Sequence, residues 1–287
     1  VPIFFMLTGA TLMRYREKYD TKTFFKKRLL RTAVPFLAWN AIWYMKGVAF
    51  DGYAVSLPTF FSMMMSNEIV SIYWFFFPLF AIYLSMPALS LLSDHVGVLK
   101  YLVAGSFVLQ SLAPQLCSLL GLSWNSSLTV LVASGHLLFV LLGYLLSTQE
   151  LSKRTRLTIY ALGLFGLLLR FTYTLVSSEA AGDLDRTFFN YLGFPSVLYS
   201  VGIFTWFKYH DWSWLEGKAK LIAAVSACSF GIYLIHRPIL QSVVFGAMGV
   251  PTTSVAFRLV GALAFYLVLL AVVWAWRKVP GLRKLMP

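Results

Sequence analysis

The chain has 287 residues, of which 59% are hydrophobic and only 12% are charged. A soluble domain carries about 25% charged residues, so this composition excludes an ordinary soluble enzyme and is typical of a membrane protein. In a soluble protein, the formal net charge of +13 would favour nucleic acid as a partner. Here most Lys and Arg residues lie in short segments between apolar stretches, so membrane topology explains the charge and no nucleic-acid partner is expected.

Long apolar stretches recur along the whole chain. Because a helix needs about 20 residues to cross the hydrocarbon core of a bilayer, we interpret them as membrane spans. The sequence therefore predicts an all-α fold, a polytopic transmembrane helical bundle with nine spans. The predicted spans are 1–13, 32–50, 70–92, 98–120, 128–147, 157–177, 188–207, 219–245 and 255–276.

The first stretch, 1–13, is shorter than a spanning helix requires, and the sequence begins with Val1 rather than Met. We therefore expect the true N-terminus to be missing from it. On this interpretation, residues 1–287 form a single integral membrane domain that is incomplete at its N-terminus.

The connecting segments alternate in charge. The first loop has eight basic residues between Arg14 and Arg31, whereas the second has Asp51 and Glu68 and no basic residue. The fifth and seventh loops and the C-terminus are also basic, and the sixth loop is acidic. Since cytoplasmic loops are enriched in Lys and Arg, we predict that the odd loops and the C-terminus are cytoplasmic. Aromatic residues near span ends, Trp43 among them, are interpreted as interfacial anchors.

The first loop ends in a basic motif, FFKKRLLR (24–31). Arg28 and Arg31 are three residues apart, so on a helix they share a face, with Lys27 one turn from Arg31. Two guanidinium groups on one face suit phosphate oxygens. A topology signal that also contacts anionic lipid would explain the same residues, and charge alone does not separate the two interpretations.

No Asp or Glu lies inside a predicted span, and few basic groups do. His136 lies in the middle of the fifth predicted span, where a packing role and a direct role both remain open. Lys46 and Arg258 lie at outer span ends, and we expect these side chains to reach lipid phosphates.

Three further basic residues lie in the predicted outer half of the membrane, and for these we favour a polar cavity. They are Arg170, His236 and Arg237. In the eighth span, a polar stripe recurs at helical spacing beside His236, formed by Ser226, Ser229, Tyr233 and Arg237. Pro238 removes a backbone donor and frees the Leu234 carbonyl, which predicts a kink. Hydrogen bonding between helices would also explain such a stripe.

The sequence contains no G-x-S-x-G nucleophile elbow and no His or Cys spacing typical of a metal site, so no metal is expected. Cys117 and Cys228 lie in apolar stretches and are interpreted as small buried hydrophobic residues.

Four stretches, taken in order, resemble the acyltransferase-3 family of integral membrane acyltransferases. They are VPIFFMLTG (1–9), FFKKRLLRTAVPFLAW (24–39), YWFFFPLFAIYLSMPAL (73–89) and SFGIYLIHRPIL (229–240). The resemblance implies ten helices with both termini in the cytoplasm, which agrees with nine spans plus one earlier helix. The family's proposed catalytic His lies on its first helix, so we expect this sequence to lack that residue.

The resemblance implies an O-acyltransferase of the bacterial inner membrane. It would move an acyl group, most often acetyl, from cytoplasmic acyl-CoA to a hydroxyl of a cell-surface or lipid-linked glycan. By the same resemblance, Arg28 and Arg31 would bind the donor phosphates, with Lys27 beside them. Membrane lipids are the other expected partners, and the sequence does not indicate an oligomeric state.

A hydroxyl needs a positioned base, and the oxyanion that develops needs a donor or cation. Our hypothesis is that four side chains supply these groups on the acceptor side: Tyr233, His236, Arg237 and Arg170. A polytopic transporter or glycan flippase is the main alternative, although a proton-coupled carrier usually has an acidic residue in the membrane. A non-catalytic scaffold and an unrelated membrane-bound O-acyltransferase fold are the others, and the order of the motifs argues against the last.

Overall fold

Helices account for all regular secondary structure in the computed structural model, which describes residues 1–287. The predicted all-α class is confirmed. The α-helices are α1 (Pro2–Leu12), α2 (Thr21–Arg28), α3 (Val34–Phe50), α4 (Leu57–Met65), α5 (Phe76–Leu89), α6 (Val96–Ser106), α7 (Ala113–Leu119), α8 (Leu137–Thr148), α9 (Lys153–Ala181), α10 (Phe194–Tyr209), α11 (Ala219–Ile239) and α12 (Ala262–Arg277).

Several α-helices are joined or extended by π-helical segments. These are Leu29–Ala33, Phe107–Leu112, Leu240–Ala247 and Phe257–Gly261. The first joins α2 to α3 and the second joins α6 to α7, so each pair runs as one continuous helical stretch. A π turn bonds residue i to i+5 and so widens the helix locally.

Five helical stretches are long and apolar enough to cross a membrane. They are Ser71–Leu92, Val96–Leu119, Lys153–Ala181, Ser213–Ala247 and Phe257–Arg277. Each coincides with one of the predicted spans to within a few residues at most ends. The other four predicted spans contain the shorter helices α1, α3, α8 and α10, of 11, 17, 12 and 16 residues. Nine spans therefore remain a prediction, with five candidate spans found in the structure.

The chain forms two compact units, each assembled from two separate stretches of sequence. Unit 1 consists of Val1–Thr21 and Pro78–Asp211, and unit 2 consists of Lys22–Phe77 and Trp212–Pro287. The prediction of one domain over 1–287 remains a prediction.

The predicted span 128–147 is wrong as a continuous helix. The α-helix begins only at Leu137, and the preceding residues include a 3-10 turn, Leu131–Ala133. Gly135 has φ +57°, a conformation that glycine adopts without strain. His136 therefore precedes the helix instead of lying in its middle, and its ring centroid is 4.8 Å from that of Phe5.

Two side chains from neighbouring helical segments satisfy the backbone at this break. The Gln110 amide donates to the Ala133 carbonyl at 2.9 Å and accepts from the Gly135 N–H at 2.7 Å. The Ser106 hydroxyl donates to the same Ala133 carbonyl at 3.0 Å. Backbone groups in an apolar environment must find partners inside the protein, and these side chains replace the missing helical hydrogen bonds.

Glycine residues allow close helix contacts in unit 1. A Cβ atom added at Gly9 of α1 would overlap the Val140 carbonyl of α8, and one at Gly143 would overlap the backbone of Met6. In the pair α9 and α10, a Cβ at Gly163 would lie 3.1 Å from the Gly202 Cα. Small residues at contact points are typical of helix pairs in membranes, where close backbone approach supplies the packing energy.

In unit 2, aromatic residues dominate the core and tie α3 to the C-terminal segment. Phe36 contacts Tyr73 and Phe76, with ring centroids 6.0 and 4.8 Å apart. The Trp39 indole N–H donates to the Leu285 carbonyl at 3.0 Å. Lys46, expected to reach lipid phosphate, forms a salt bridge of 2.8 Å with a carboxylate oxygen of Asp51.

Candidate active site

The candidate site in unit 2 begins with a broken hydrogen-bond ladder in α11. Pro238 has no N–H to donate to the Leu234 carbonyl four residues earlier. That carbonyl accepts instead from the Tyr73 hydroxyl at 2.6 Å and from the Trp43 indole N–H at 3.4 Å. The sequence prediction that Leu234 has a freed carbonyl is confirmed.

Tyr233 joins the same two segments by a hydrogen bond in the opposite direction, from α11 to the segment that contains Tyr73. Its hydroxyl donates to the Ile72 carbonyl, one residue before Tyr73. Its ring packs against Phe75 and Phe76, at centroid distances of 5.9 and 5.8 Å. These reciprocal bonds join the start of the span Ser71–Leu92 to the turn of α11 that precedes the proline, and so make this turn a rigid support.

His236 lies on this supported turn and is half-buried. Its Nδ1 is 3.1 Å from the Ile232 carbonyl oxygen and 3.0 Å from that of Tyr233. Carbonyl oxygens only accept hydrogen bonds, so we assign the proton of the neutral ring to Nδ1. This tautomer leaves the lone pair on Nε2, which is the form a general base requires.

Arg237 places a cation next to His236. It is half-buried, and its Nε is buried without a hydrogen-bond partner. None of the four salt bridges of the structure involves it. A buried donor without a partner is costly and calls for an acceptor, and an anionic or partly negative oxygen would supply one.

The other members of the polar stripe do not share this environment. Ser226 and Ser229 are exposed, whereas Tyr233 and Arg237 are half-buried. The stripe is therefore polar along its length, but only its end near Pro238 is partly buried by other residues.

The basic motif of the first loop also lies in unit 2. Arg28 is the last residue of α2, and Arg31 lies in the π segment Leu29–Ala33. The α-helical spacing assumed for the two residues therefore does not hold here, because a π turn bonds residue i to i+5. Arg28 is half-buried over the Phe24 ring, 5.7 Å from its centroid, Lys27 is half-buried, and Arg31 is exposed.

Arg170 belongs to unit 1 and is half-buried there. Its Nη1 donates to the Ser196 hydroxyl at 3.0 Å and to the Tyr199 hydroxyl at 3.2 Å. Its guanidinium carbon also lies 5.5 Å from the centroid of the Phe189 ring. The structure thus groups Tyr233, His236 and Arg237 in unit 2 and describes Arg170 with α9 and α10.

Sequence reasoning does not single out Tyr73, and it gives Trp43 only an interfacial role. A usable signal was present, because Pro238 creates an acceptor that must find a donor inside the protein. Candidate donors include every tyrosine and tryptophan in the spans, and the choice among them depends on tertiary contacts.

The comparisons with known proteins give one match. A family model described as an acyltransferase domain, that of the acyltransferase-3 family, matches residues 1–277. No curated protein and no solved structure matches the chain significantly. Because the match covers nearly the whole chain, the chain belongs to the acyltransferase-3 family, and the resemblance noted in the sequence is confirmed. With its apolar helices, the chain is a membrane acyltransferase.

Proposed function

We propose that this membrane acyltransferase moves an acyl group from cytoplasmic acyl-CoA to a hydroxyl of a cell-surface or lipid-linked glycan. The observation that carries the proposal is the family match over residues 1–277. Acetyl is the first acyl group to test, and the bacterial inner membrane is the proposed location. A cytoplasmic donor and an acceptor outside the cytoplasm require a site within the bundle, and polar side chains inside apolar helices are the groups that such a site needs.

In the proposed reaction, His236 is the general base. Its Nε2 takes the proton of the acceptor hydroxyl as that oxygen attacks the thioester carbonyl carbon. The hydrogen bonds from Nδ1 to the carbonyls of Ile232 and Tyr233 support this role, because they hold the ring and its tautomer. Tyr233 acts as a positioning residue through its bond to Ile72.

Arg237 is proposed to stabilise the oxyanion that forms on the thioester oxygen. Its unpartnered Nε and its lack of a carboxylate partner support this assignment. When the intermediate collapses, the carbon–sulfur bond breaks and the CoA thiolate takes the proton back from His236. The oxyanion donor contributes most in the transition state, so its loss lowers kcat more than it raises KM.

The donor phosphates are proposed to bind at Arg28 and Arg31, with Lys27 adding a third positive charge. Acyl-CoA is a substrate here and not a resident cofactor. Arg170, held by Ser196 and Tyr199, is proposed to contact the acceptor glycan.

The first experiment measures transfer of radiolabelled acetyl from acetyl-CoA into membrane glycan by membranes that contain the complete protein. His236→Gln is expected to lower the rate by about 10²–10⁴, which is the usual contribution of a general base. The control is His95→Gln, because His95 is an exposed histidine outside the candidate site, just before α6. Equal rates for the two variants would remove His236 from the mechanism.

A second arm tests the donor site with Arg28→Ala combined with Arg31→Ala. We expect a KM for acyl-CoA raised about tenfold or more, because two charge-assisted bonds to phosphate are lost. Lys22→Ala combined with Lys26→Ala removes the same charge from exposed residues of the same loop and should leave KM unchanged. If no acyl-CoA labels the glycan, while glycan transport depends on the protein, the transporter alternative replaces the proposal.

A further inference from the structure

Unit 1 contains a basic and aromatic pocket that the proposed reaction does not use. It lies between the first turns of α9 and the C-terminal end of α10 and has a volume of about 300 Å³. Its lining includes two basic residues and four residues with rings: Lys153, Arg156, Tyr160, Trp206, Tyr209 and His210.

The nearby carboxylate of Glu150 offsets the positive charge of the pocket only in part, because both of its oxygens are already bonded to groups outside the Lys153–Arg156 pair. Lys208 Nζ lies 3.1 Å from one carboxylate oxygen of Glu150, and the Tyr209 hydroxyl donates to the other at 3.0 Å. The hydrogen bond from Lys208, followed by that from Tyr209, lowers the pKa of Glu150. No salt bridge joins Lys153 or Arg156 to a carboxylate, although the positive charge of Arg156 lies close enough to Glu150 to contribute to its lowered pKa. Glu150 therefore offsets part of the charge of Arg156, and the charge of Lys153 adds to what remains for an anion.

Arg156 is held in a fixed orientation on one side of the pocket. Its guanidinium carbon lies 4.4 Å from the centroid of the Tyr209 ring, and its Nε is buried without a hydrogen-bond partner. The Tyr209 hydroxyl, in turn, accepts from the Leu151 N–H at 2.7 Å. A guanidinium stacked on a fixed ring keeps its planar edge of donors for an oxyanion, which is the geometry that phosphate groups bind.

The start of α9 adds to the attraction for an anion. Ser152 caps this helix of 29 residues by accepting from the Thr155 N–H, and Lys153 is the first helical residue. The N-terminus of a long helix carries a partial positive charge. Together with Lys153 and Arg156, this end favours a group with one or two negative charges, and phosphate is the group that fits.

The position of the pocket indicates where such a phosphate would come from. The stretch Lys153–Ala181 is a candidate membrane span, and a helix that crosses the bilayer has its first turn near the level of the lipid headgroups. Trp206, Tyr160 and Tyr209 supply the aromatic rings that are enriched at that level. Leu157 continues the lining towards the apolar part of α9 and is exposed.

We propose that this pocket is a binding site for an anionic phospholipid, with the headgroup phosphate between Lys153 and Arg156 and the glycerol and upper acyl chain along Leu157. The proposal is independent of the acyl-transfer reaction. A lipid held here would anchor the α9 and α10 pair at the membrane surface.

Native mass spectrometry tests the proposal on the complete protein in a neutral detergent. Phosphatidylglycerol and phosphatidylcholine are titrated separately, and retained lipid is counted for each variant. We expect the wild type to prefer phosphatidylglycerol. Lys153→Gln combined with Arg156→Gln should weaken its binding about tenfold or more, because two charge-assisted contacts to one phosphate are lost.

The matched control is Lys218→Gln combined with Lys220→Gln. These residues are exposed and lie near the start of another candidate span, so the control removes the same charge from a similar position in unit 2. Its affinity should stay within about twofold of the wild type. Equal weakening in both double variants would overturn the pocket in favour of general surface charge.

Three further results complete the test. Arg156→Lys keeps the charge but loses the planar stack, so binding intermediate between the wild type and the double variant would support the geometry. Displacement of bound phosphatidylglycerol by micromolar CoA or by millimolar inorganic phosphate would overturn the lipid assignment in favour of a soluble phosphate. A wild type with no preference between the two lipids would overturn the proposal, and circular dichroism checks that each variant keeps its helicity.

Discussion

Each unit has a gap in the backbone hydrogen bonding of an apolar stretch, and each satisfies the freed backbone groups in its own way. In unit 1, the turn before α8 leaves both the Ala133 carbonyl and the Gly135 N–H without helical partners, and Gln110 serves both. In unit 2, Pro238 leaves only an acceptor, the Leu234 carbonyl, and the donor Tyr73 serves it.

The difference shows how the type of break selects the type of partner. A glycine turn exposes a donor and an acceptor, so a side-chain amide, which offers both, fits it. A proline exposes an acceptor alone, so a hydroxyl or indole on an otherwise apolar ring is sufficient. The first break has His136 beside it but no arginine, whereas the second has His236 next to Arg237, whose buried Nε has no hydrogen-bond partner. For this reason the candidate chemistry lies at the second break.

The largest effect on stability should come from the first break. Gln110→Leu removes a donor and an acceptor at once and leaves the N–H of the half-buried Gly135 without its partner. We expect the free energy of unfolding to fall by about 2–3 kcal/mol, measured by denaturant titration in detergent. Gln241→Leu, an identical change at an exposed residue, is the control. Equal destabilisation in the two variants would show that the break does not depend on Gln110.

A smaller effect on stability, together with an effect on activity, should come from the second break. Tyr73→Phe removes only the hydroxyl, and the Trp43 bond of 3.4 Å remains, so we expect a loss of about 1–2 kcal/mol. Acyl transfer should fall about tenfold at unchanged KM, because the turn that holds His236 loses a support. Tyr101→Phe removes the hydroxyl of an exposed tyrosine and is the control. An activity equal to that of the control would show that the hydrogen bond from Tyr73 to the Leu234 carbonyl does not support acyl transfer.

The smallest effect on stability should come from the ion pair of Glu150 and Lys208, which lies away from both breaks. It shows how much a single polar contact contributes where the backbone is not broken. Glu150 has a lowered pKa in the folded protein, so its ion pair with Lys208 stabilises the fold above the ordinary pKa of a glutamate, about 4.3. That stabilisation is lost as the pH falls through the lower pKa of the folded state. The wild type should therefore melt slightly above Glu150→Gln at pH 7, and the difference should shrink as the pH falls below the ordinary glutamate pKa and vanish once Glu150 is protonated in the folded protein. A difference that does not shrink as the pH is lowered would contradict the assignment.

Local chemistry made part of this structure predictable. The five candidate spans follow from continuous apolar sequence, and the free carbonyl of Leu234 follows from the missing N–H of Pro238. The continuous span 128–147 was predicted wrongly because hydropathy averages across a turn, although Ser134 and Gly135 were visible as a break signal. The π segment that contains Arg31 has no comparable signal in the sequence, because an extra residue in a helical turn does not change the composition.

The site was less predictable than the fold for a related reason. His236 and Arg237 stand out in the sequence because charge is rare in apolar helices. Their supports do not, because Tyr73 is one aromatic residue among many and its acceptor lies in a segment far along the chain. Which aromatic residue meets which carbonyl is decided by packing alone.

The division of each unit into two distant stretches has a consequence for biosynthesis. The stretch Lys22–Phe77 leaves the ribosome early, but its partner Trp212–Pro287 is made last. The indole of Trp39, for example, finds its acceptor only when Leu285 has been synthesised. Helices α2 to α4 therefore lack their C-terminal partner while nearly all of unit 1 is translated, and a nascent chain cut off before Trp212 would leave them exposed to quality-control proteases.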